Sequence, residues 1–247
     1  MINYPNTFVL GFILLLFSCS SESTNVSETL VPNNSKNKIM PLGASRVAGA
    51  RPEYESYRFE LWKLLVDSGV EFDFIGTEND GANYPDFNGF PFDRDHEGRG
   101  GINSSEIRSG INEWLRESGT PDIVLFSSPG GNDDLTSVTY GGVLENINAI
   151  IDAIQAINPN TTIVIEQAAP PMTSELTSEF LAVYNQIIKD LVTIAERQST
   201  TSSKVLTVDM ATGFTDAMLA DDVHYNEAGA KFIANRYFEI LQTILSE

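Results

Sequence analysis

One cysteine and two histidines in 247 residues leave nothing from which to build an internal disulfide or a histidine-rich metal centre. Basic residues are scarce as well. Fifteen Lys and Arg, 15 against 34 Asp and Glu, give a formal net charge of −19 with both histidines neutral. Such a surface lacks the cations that neutralise phosphates, which argues against nucleic acid as a partner, and lacks a basic patch for anionic lipid. Long apolar runs are missing too: Phe8 to Phe17 (FVLGFILLLF) has about half the ~20 residues that a bilayer-spanning helix needs. What is present, 42% hydrophobic and 10% aromatic residues, is ordinary for one globular domain and excludes disorder for most of the chain.

The Phe8 to Phe17 run is read as the core of a signal peptide over residues 1–18. Leu16-Phe17-Ser18-Cys19 resembles a bacterial lipobox, in which the cysteine is lipidated and becomes the mature N-terminus; a free or buried thiol after ordinary secretion is the alternative. The polar stretch that follows, rich in Ser, Asn, Thr and Glu, makes residues 19–37 a tether and residues 38–247 the folded domain. The expected location is across the inner membrane, in the cell envelope or on the cell surface, with membrane contact only through the lipid.

Within the domain short apolar strands alternate with amphipathic helices. Strands are predicted at Lys38 to Leu42, Glu71 to Ile75, Asp122 to Phe126, Thr161 to Gln167 and Val205 to Val208. Helices are predicted at Ser56 to Ser68, about Ser104 to Ser118 with a capping box from Asn103 and Glu106, and through Val143, Ile147, Ile150, Ile151 and Ile154. A long helix carries Phe180, Leu181, Tyr184, Ile187, Ile188 and Leu191, and a last one runs from Glu227 to Leu245. Strands this apolar have no solvated face, so the expected fold is an α/β three-layer αβα sandwich around a five-stranded parallel sheet. In such sheets chemistry collects at the carboxyl ends of the strands.

Four segments lie there. Gly43-Ala44-Ser45-Arg46 places a serine on a strand-to-helix turn, where a hydroxyl is exposed and backbone N–H groups can receive an oxyanion, although serine is also a common N-cap. Asp95-His96-Glu97-Gly98-Arg99-Gly100-Gly101 is rich in glycine, which suits close approach to a ligand or a plain loop. Pro129-Gly130-Gly131-Asn132-Asp133 offers an Asn amide as donor, or simply a turn. In Asp221-Asp222-Val223-His224 an Asp three residues before a His can orient Nδ1 and leave Nε2 to take a proton from a serine; Asp222 competes for that place.

The order Ser, Gly, Asn, Asp-x-x-His resembles the SGNH (GDSL-like) hydrolase superfamily. The stretches IMPLGASR, ESYRFELWKLLVDSGVEFDFIGT, DHEGRGG, PDIVLF, GGND and DDVHYNEAGAKFIA are similar to its carbohydrate-esterase branch, which contains acetylxylan esterases; the resemblance covers Ile39 to Tyr237. It implies a flavodoxin-like sandwich, a serine esterase acting on acetylated carbohydrate, and no cofactor or metal. By the same likeness the nucleophile falls on Ser45, the base and its orienter on His224 and Asp221, and the oxyanion donors on the backbones of Ser45 and Gly101 with the side chain of Asn132. His96, Arg46 and Asp133 are the candidate substrate contacts. Ala44 stands where the family has Asp, and Ile102 where it has an aromatic residue. The aromatic residues of the loop before Gly101, Tyr84, Phe87, Phe90 and Phe92, either stack on sugar rings or seal a small core. The polar residues around them offer little apolar surface, so a short acyl group is expected; a lipase or thioesterase of the same superfamily and a non-catalytic glycan-binding lipoprotein are the alternatives.

Overall fold

β1 (Lys38–Gly43) is buried on both faces, Ile39 among the side chains of one core and Met40 and Leu42 among those of a second. The same alternation continues in β5 (Ile123–Phe126), where Ile123 and Leu125 face one core and Val124 and Phe126 the other. This two-sided burial is what an all-apolar strand requires and only a sheet covered by helices on both faces provides. The structure, a computed structural model, describes residues 1, 36–127, 129, 132–133, 135 and 139–245. The signal-peptide run, Cys19 and nearly all of the tether lie outside the described residues, as do Gly130 and Gly131.

The strand order is β3-β4-β1-β5-β6-β7, with β2 paired to β1, where β2 is Asp73–Phe74, β3 Glu78–Asn79, β4 Asp95–Gly98, β6 Thr162–Gln167 and β7 Val205–Asp209. All pairings are parallel except β3 with β4. One edge of β1 is taken by β5. On the other edge β2 pairs the start of β1 (Lys38 with Asp73) and β4 pairs its end (Leu42 with Glu97). Two short pieces therefore share the one place at which a single strand, Glu71 to Ile75, is expected. The sheet has the expected five parallel positions, built from more segments than expected.

α2 (Arg58–Ser68) and α6 (Glu227–Leu245) cover one face through Leu61, Leu65, Ile233, Tyr237 and Leu241. α3 (Ser104–Glu117), α4 (Tyr140–Ile157) and α5 (Ser178–Gln198) cover the other, completing three layers. The expected box starts α3: Asn103 Oδ1 accepts from Glu106 N–H at 3.1 Å and Glu106 Oε2 from Asn103 N–H at 2.9 Å. α2 begins two residues later than expected, because Ser56 is spent outside the helix: its hydroxyl donates to Val47 O at 2.7 Å.

Three of the four loop aromatics pack into the edge of the core shared by α2 and α6. Tyr84 and Phe92 pack on Phe59 at ring-centroid distances of 4.8 and 5.2 Å, and Phe87 and Phe92 meet Trp62 at 6.2 and 5.6 Å. Phe90 alone is exposed.

Candidate active site

α1 (Ser45–Ala48) is one turn of helix directly after β1, and it sets Ser45 at the carboxyl edge of the sheet. Its position depends on β4. A Cβ on Gly98 would lie 2.6 Å from Ala48 N and 2.7 Å from Val47 Cβ, so only glycine lets β4 pack against the turn that carries the serine. Close packing, rather than approach of a ligand, is the reason for that glycine. Gly101 differs: its φ of +81° is left-handed and suits glycine, and nothing lies within 4 Å of where a Cβ would be.

Ser45 Oγ lies 2.9 Å from His224 Nε2, and His224 Nδ1 lies 2.7 Å from Asp221 Oδ2. Burial works against the Asp221 carboxylate. The N–H groups of Val223 and His224 and the imidazole more than offset this and hold its pKa down at about 2, so it is ionised at neutral pH. Asp222 has no part in this line; its carbonyl accepts from Met172 N–H at 2.7 Å. Asn132 Nδ2 donates to Ile102 O at 2.8 Å, which fixes the amide over the Gly101 turn and leaves its second hydrogen for another acceptor.

The three expected substrate contacts are engaged with the protein itself. Arg46 is 9% exposed and donates from Nε to Val223 O (2.8 Å), from Nη1 to Ala169 O (2.7 Å) and from Nη2 to Pro170 O (3.4 Å), with its guanidinium 4.7 Å over the Tyr225 ring. It clamps the serine turn to the loop bearing His224. Both carboxylate oxygens of Asp133 accept from Ser104, from the N–H at 2.9 Å and the hydroxyl at 2.8 Å, which ties the post-β5 loop to the start of α3. His96 sits in β4, buried, with Nδ1 accepting from Gly98 N–H at 3.0 Å. Its polar neighbours made it look like a loop residue; pairing to β1 buries it.

Burial, with the Arg58 guanidinium next in effect, pushes the His96 pKa down to about 3. The unfolded chain takes up that proton near pH 6.5, whereas the folded protein does not, so acidification between those values favours unfolding. The stability advantage of the wild type over His96→Asn should therefore shrink as pH falls from 7 to 5, by about 1 kcal/mol per unit, in denaturant unfolding. An advantage independent of pH would contradict a neutral buried imidazole.

Several parts of the site have no counterpart in the sequence motifs. Tyr54 stacks on His224, ring centroids 3.9 Å apart and planes 13° from parallel, and its segment is pinned by the Glu55 N–H donating to Tyr225 O at 2.8 Å. Glu166 on β6 is fully buried behind the serine, accepting from the hydroxyls of Ser127 (2.5 Å), Tyr237 (3.0 Å) and Tyr225 (3.4 Å). Burial raises its pKa, against those three hydroxyls and Arg46. A glutamate inside the apolar run TIVIEQ is a signal that could have been read. Beside Ser45 opens a cavity of about 170 Å³ whose lining includes Ala168, Ala169, Tyr184, Ile188 and Leu191, contrary to the expectation of little apolar surface. Among the described residues no group of three or more His, Cys, Asp or Glu could hold a metal ion.

The sequence profile of the GDSL-like Lipase/Acylhydrolase family matches residues 74–232, a segment that contains His224 and begins after Ser45. No curated protein sequence matches the chain. Among solved structures, a carbohydrate esterase family 3 protein from Talaromyces cellulolyticus superposes with a TM-score of 0.70 at 28% identity, over 85% of this chain and 99% of that one. An acetyl esterase, a serine-to-alanine mutant with acetate ion, gives 0.69 at 28% over the same shares. A family 3 carbohydrate esterase from Clostridium thermocellum gives 0.66 at 31% identity, over 85% of this chain and 96% of that one. The chain belongs to the GDSL-like lipase/acylhydrolase family, on the branch of the family 3 carbohydrate esterases.

Proposed function

We propose that the protein is a serine esterase that removes acetyl and other short acyl groups from carbohydrate. The observation that carries this reading is the unbroken line from Ser45 Oγ through the His224 ring to Asp221. Ser45 Oγ attacks the ester carbonyl while His224 Nε2 takes its proton, and Asp221 stabilises the imidazolium. The tetrahedral oxyanion is held by the N–H groups of Ser45 and Gly101 and by the Asn132 amide. His224 then protonates the departing sugar hydroxyl. Water, deprotonated by the same imidazole, releases the carboxylate from Ser45. Ala44, in the place of the usual Asp, touches none of these steps. Acetylated polysaccharides and oligosaccharides, incubated with the protein, should release acetate; p-nitrophenyl acetate hydrolysed with no release from any acetylated glycan would leave an esterase of another substrate class.

The Tyr54 ring supports the imidazolium by stacking and by its π-face. Its truncation in Tyr54→Ala should lower kcat on p-nitrophenyl acetate by roughly 3- to 30-fold with KM little changed, and Tyr54→Phe should retain most of the activity. Equal loss in both variants would assign the effect to the hydroxyl instead.

The domain is displayed outside the inner membrane and held there by a lipid on Cys19. Metabolic labelling with a palmitate analogue should tag the wild type and not Cys19→Ser. Label on the serine variant would end this assignment.

A further inference from the structure

The cavity beside Ser45 is larger than an acetyl group fills. We infer that it is an acyl subsite for an apolar acyl group of about four to six carbons, or one aromatic ring; the inference rests on the esterase reading above. The pocket is partly open, has a volume of about 170 Å³ and lies between the end of β6 with the segment after it and α5. An apolar cavity of ~150 Å³ holds a benzene molecule, which sets the size of the group that fits.

Direction follows from the tetrahedral intermediate. Its carbon carries Ser45 Oγ, the oxyanion, the leaving oxygen and the acyl chain. The oxyanion points to Gly101 and Asn132, and the leaving oxygen must reach His224 Nε2 to be protonated. Neither His224 nor Tyr54 lines the cavity, whereas Ser45 and Asn132 do, so the direction left for the acyl chain is the one toward α5. There Ile187, Ile188 and Leu191 supply aliphatic wall, and the one hydroxyl, that of Tyr184, is already donating to Ala168 O at 2.7 Å. The α5 side of the lining suits methylene groups or a ring, and the polar side chains Arg46, Asn132 and Glu166 belong to the rest of the lining.

Initial rates on p-nitrophenyl acetate, butanoate, hexanoate and dodecanoate test this. With each buried methylene adding to transition-state binding, kcat/KM should rise roughly tenfold or more from acetate to hexanoate and fall again at dodecanoate. Ile188, half-buried on α5, lets the cavity be altered in both directions. Ile188→Trp should lower the hexanoate-to-acetate ratio at least about tenfold, and Ile188→Ala should move the optimum to a longer chain; if the Trp variant fails to fold, the Ala variant carries the test. Acetate as the best substrate, with a ratio unmoved by Ile188→Ala, would overturn the subsite and leave the esterase standing. No turnover of any ester would overturn the esterase reading and the subsite with it.

Discussion

Ser45→Ala and His224→Ala should each lower ester hydrolysis by about 10³-fold or more, and the double variant should cost little beyond either one. The reason is the geometry of a relay. With Oγ 2.9 Å from Nε2, the hydroxyl is a useful nucleophile only while the imidazole can take its proton, and the imidazole has nothing to activate once the hydroxyl is gone. What survives in either variant is the oxyanion donors and substrate positioning, common to both. Steady-state kcat/KM on p-nitrophenyl acetate for the two single variants and the double one decides the matter. Losses that multiply would show that serine and histidine act in separate steps.

Arg58→Met should lower stability by about 3–5 kcal/mol, a fall in melting temperature of roughly 6–20 °C for a domain of this size. The Arg58 side chain is fully buried at the start of α2 and donates to Val47 O (2.7 Å), Ala48 O (2.9 Å), Arg94 O (3.3 Å) and Asp80 Oδ2 (2.8 Å). Two of these carbonyls close the helical turn that Ser45 opens, so the loss reaches the nucleophile as well. Burial alone would raise the Asp80 carboxyl, yet hydrogen bonds from Ala82 N–H and the Tyr84 hydroxyl, together with Arg58, keep it below its usual range. Removing the guanidinium leaves that carboxylate without its cation. Asp80→Asn in the Arg58→Met background should recover part of the loss, and calorimetry on the three variants measures it. No recovery would locate the whole cost in the orphaned carbonyls.

The strands and helices with a strong apolar period were legible because one rule governs them: β1, β5 and β6 are hydrophobic on both faces, and α3 and α4 carry their stripe at helical spacing. β4 was not. Its residues Asp95, His96, Glu97 and Gly98 read as a loop, since nothing local reveals that Glu97 is buried against Thr77, whose N–H donates to Oε2 at 2.9 Å, and against Arg99. Thr77 lies in a segment that meets Glu97 only when β2 and β4 line up on β1. Within the site, Ser45, His224 and Asp221 stand in one line because a short motif holds the last two at fixed spacing and the sheet delivers the first. Arg46 and Asp133 were read as substrate contacts because the protein partners they have are not visible locally. Their partners, Val223, Ala169 and Ser104, are far away in sequence, so their polarity looked available for a ligand. The acyl cavity was hidden in the periodicity of α5: Ile187, Ile188 and Leu191 count equally as core whether a strand or an open space faces them.

The divided strand position beside β1 makes the domain modular there. Chain leaves β1 after Phe74, adds β3 at the sheet edge beside β4, and after Asn79 makes an excursion before β4 begins at Asp95 and returns to β1. At the far tip Asn88 and Gly89, with φ of +52° and +84°, form a tight turn in which Phe87 and Phe90 exchange backbone hydrogen bonds at 2.9 and 3.0 Å. Extra residues spliced between Asn88 and Gly89 would extend only this hairpin, and each doubling of a flexible loop costs only about 0.6 kcal/mol. Gly98 and Gly101 would keep their places under the serine. The tip, tied to the end of α2 by Asn88 Nδ2 donating to Asp67 Oδ1 at 2.7 Å, is thus a natural port for grafting a peptide epitope away from the catalytic edge.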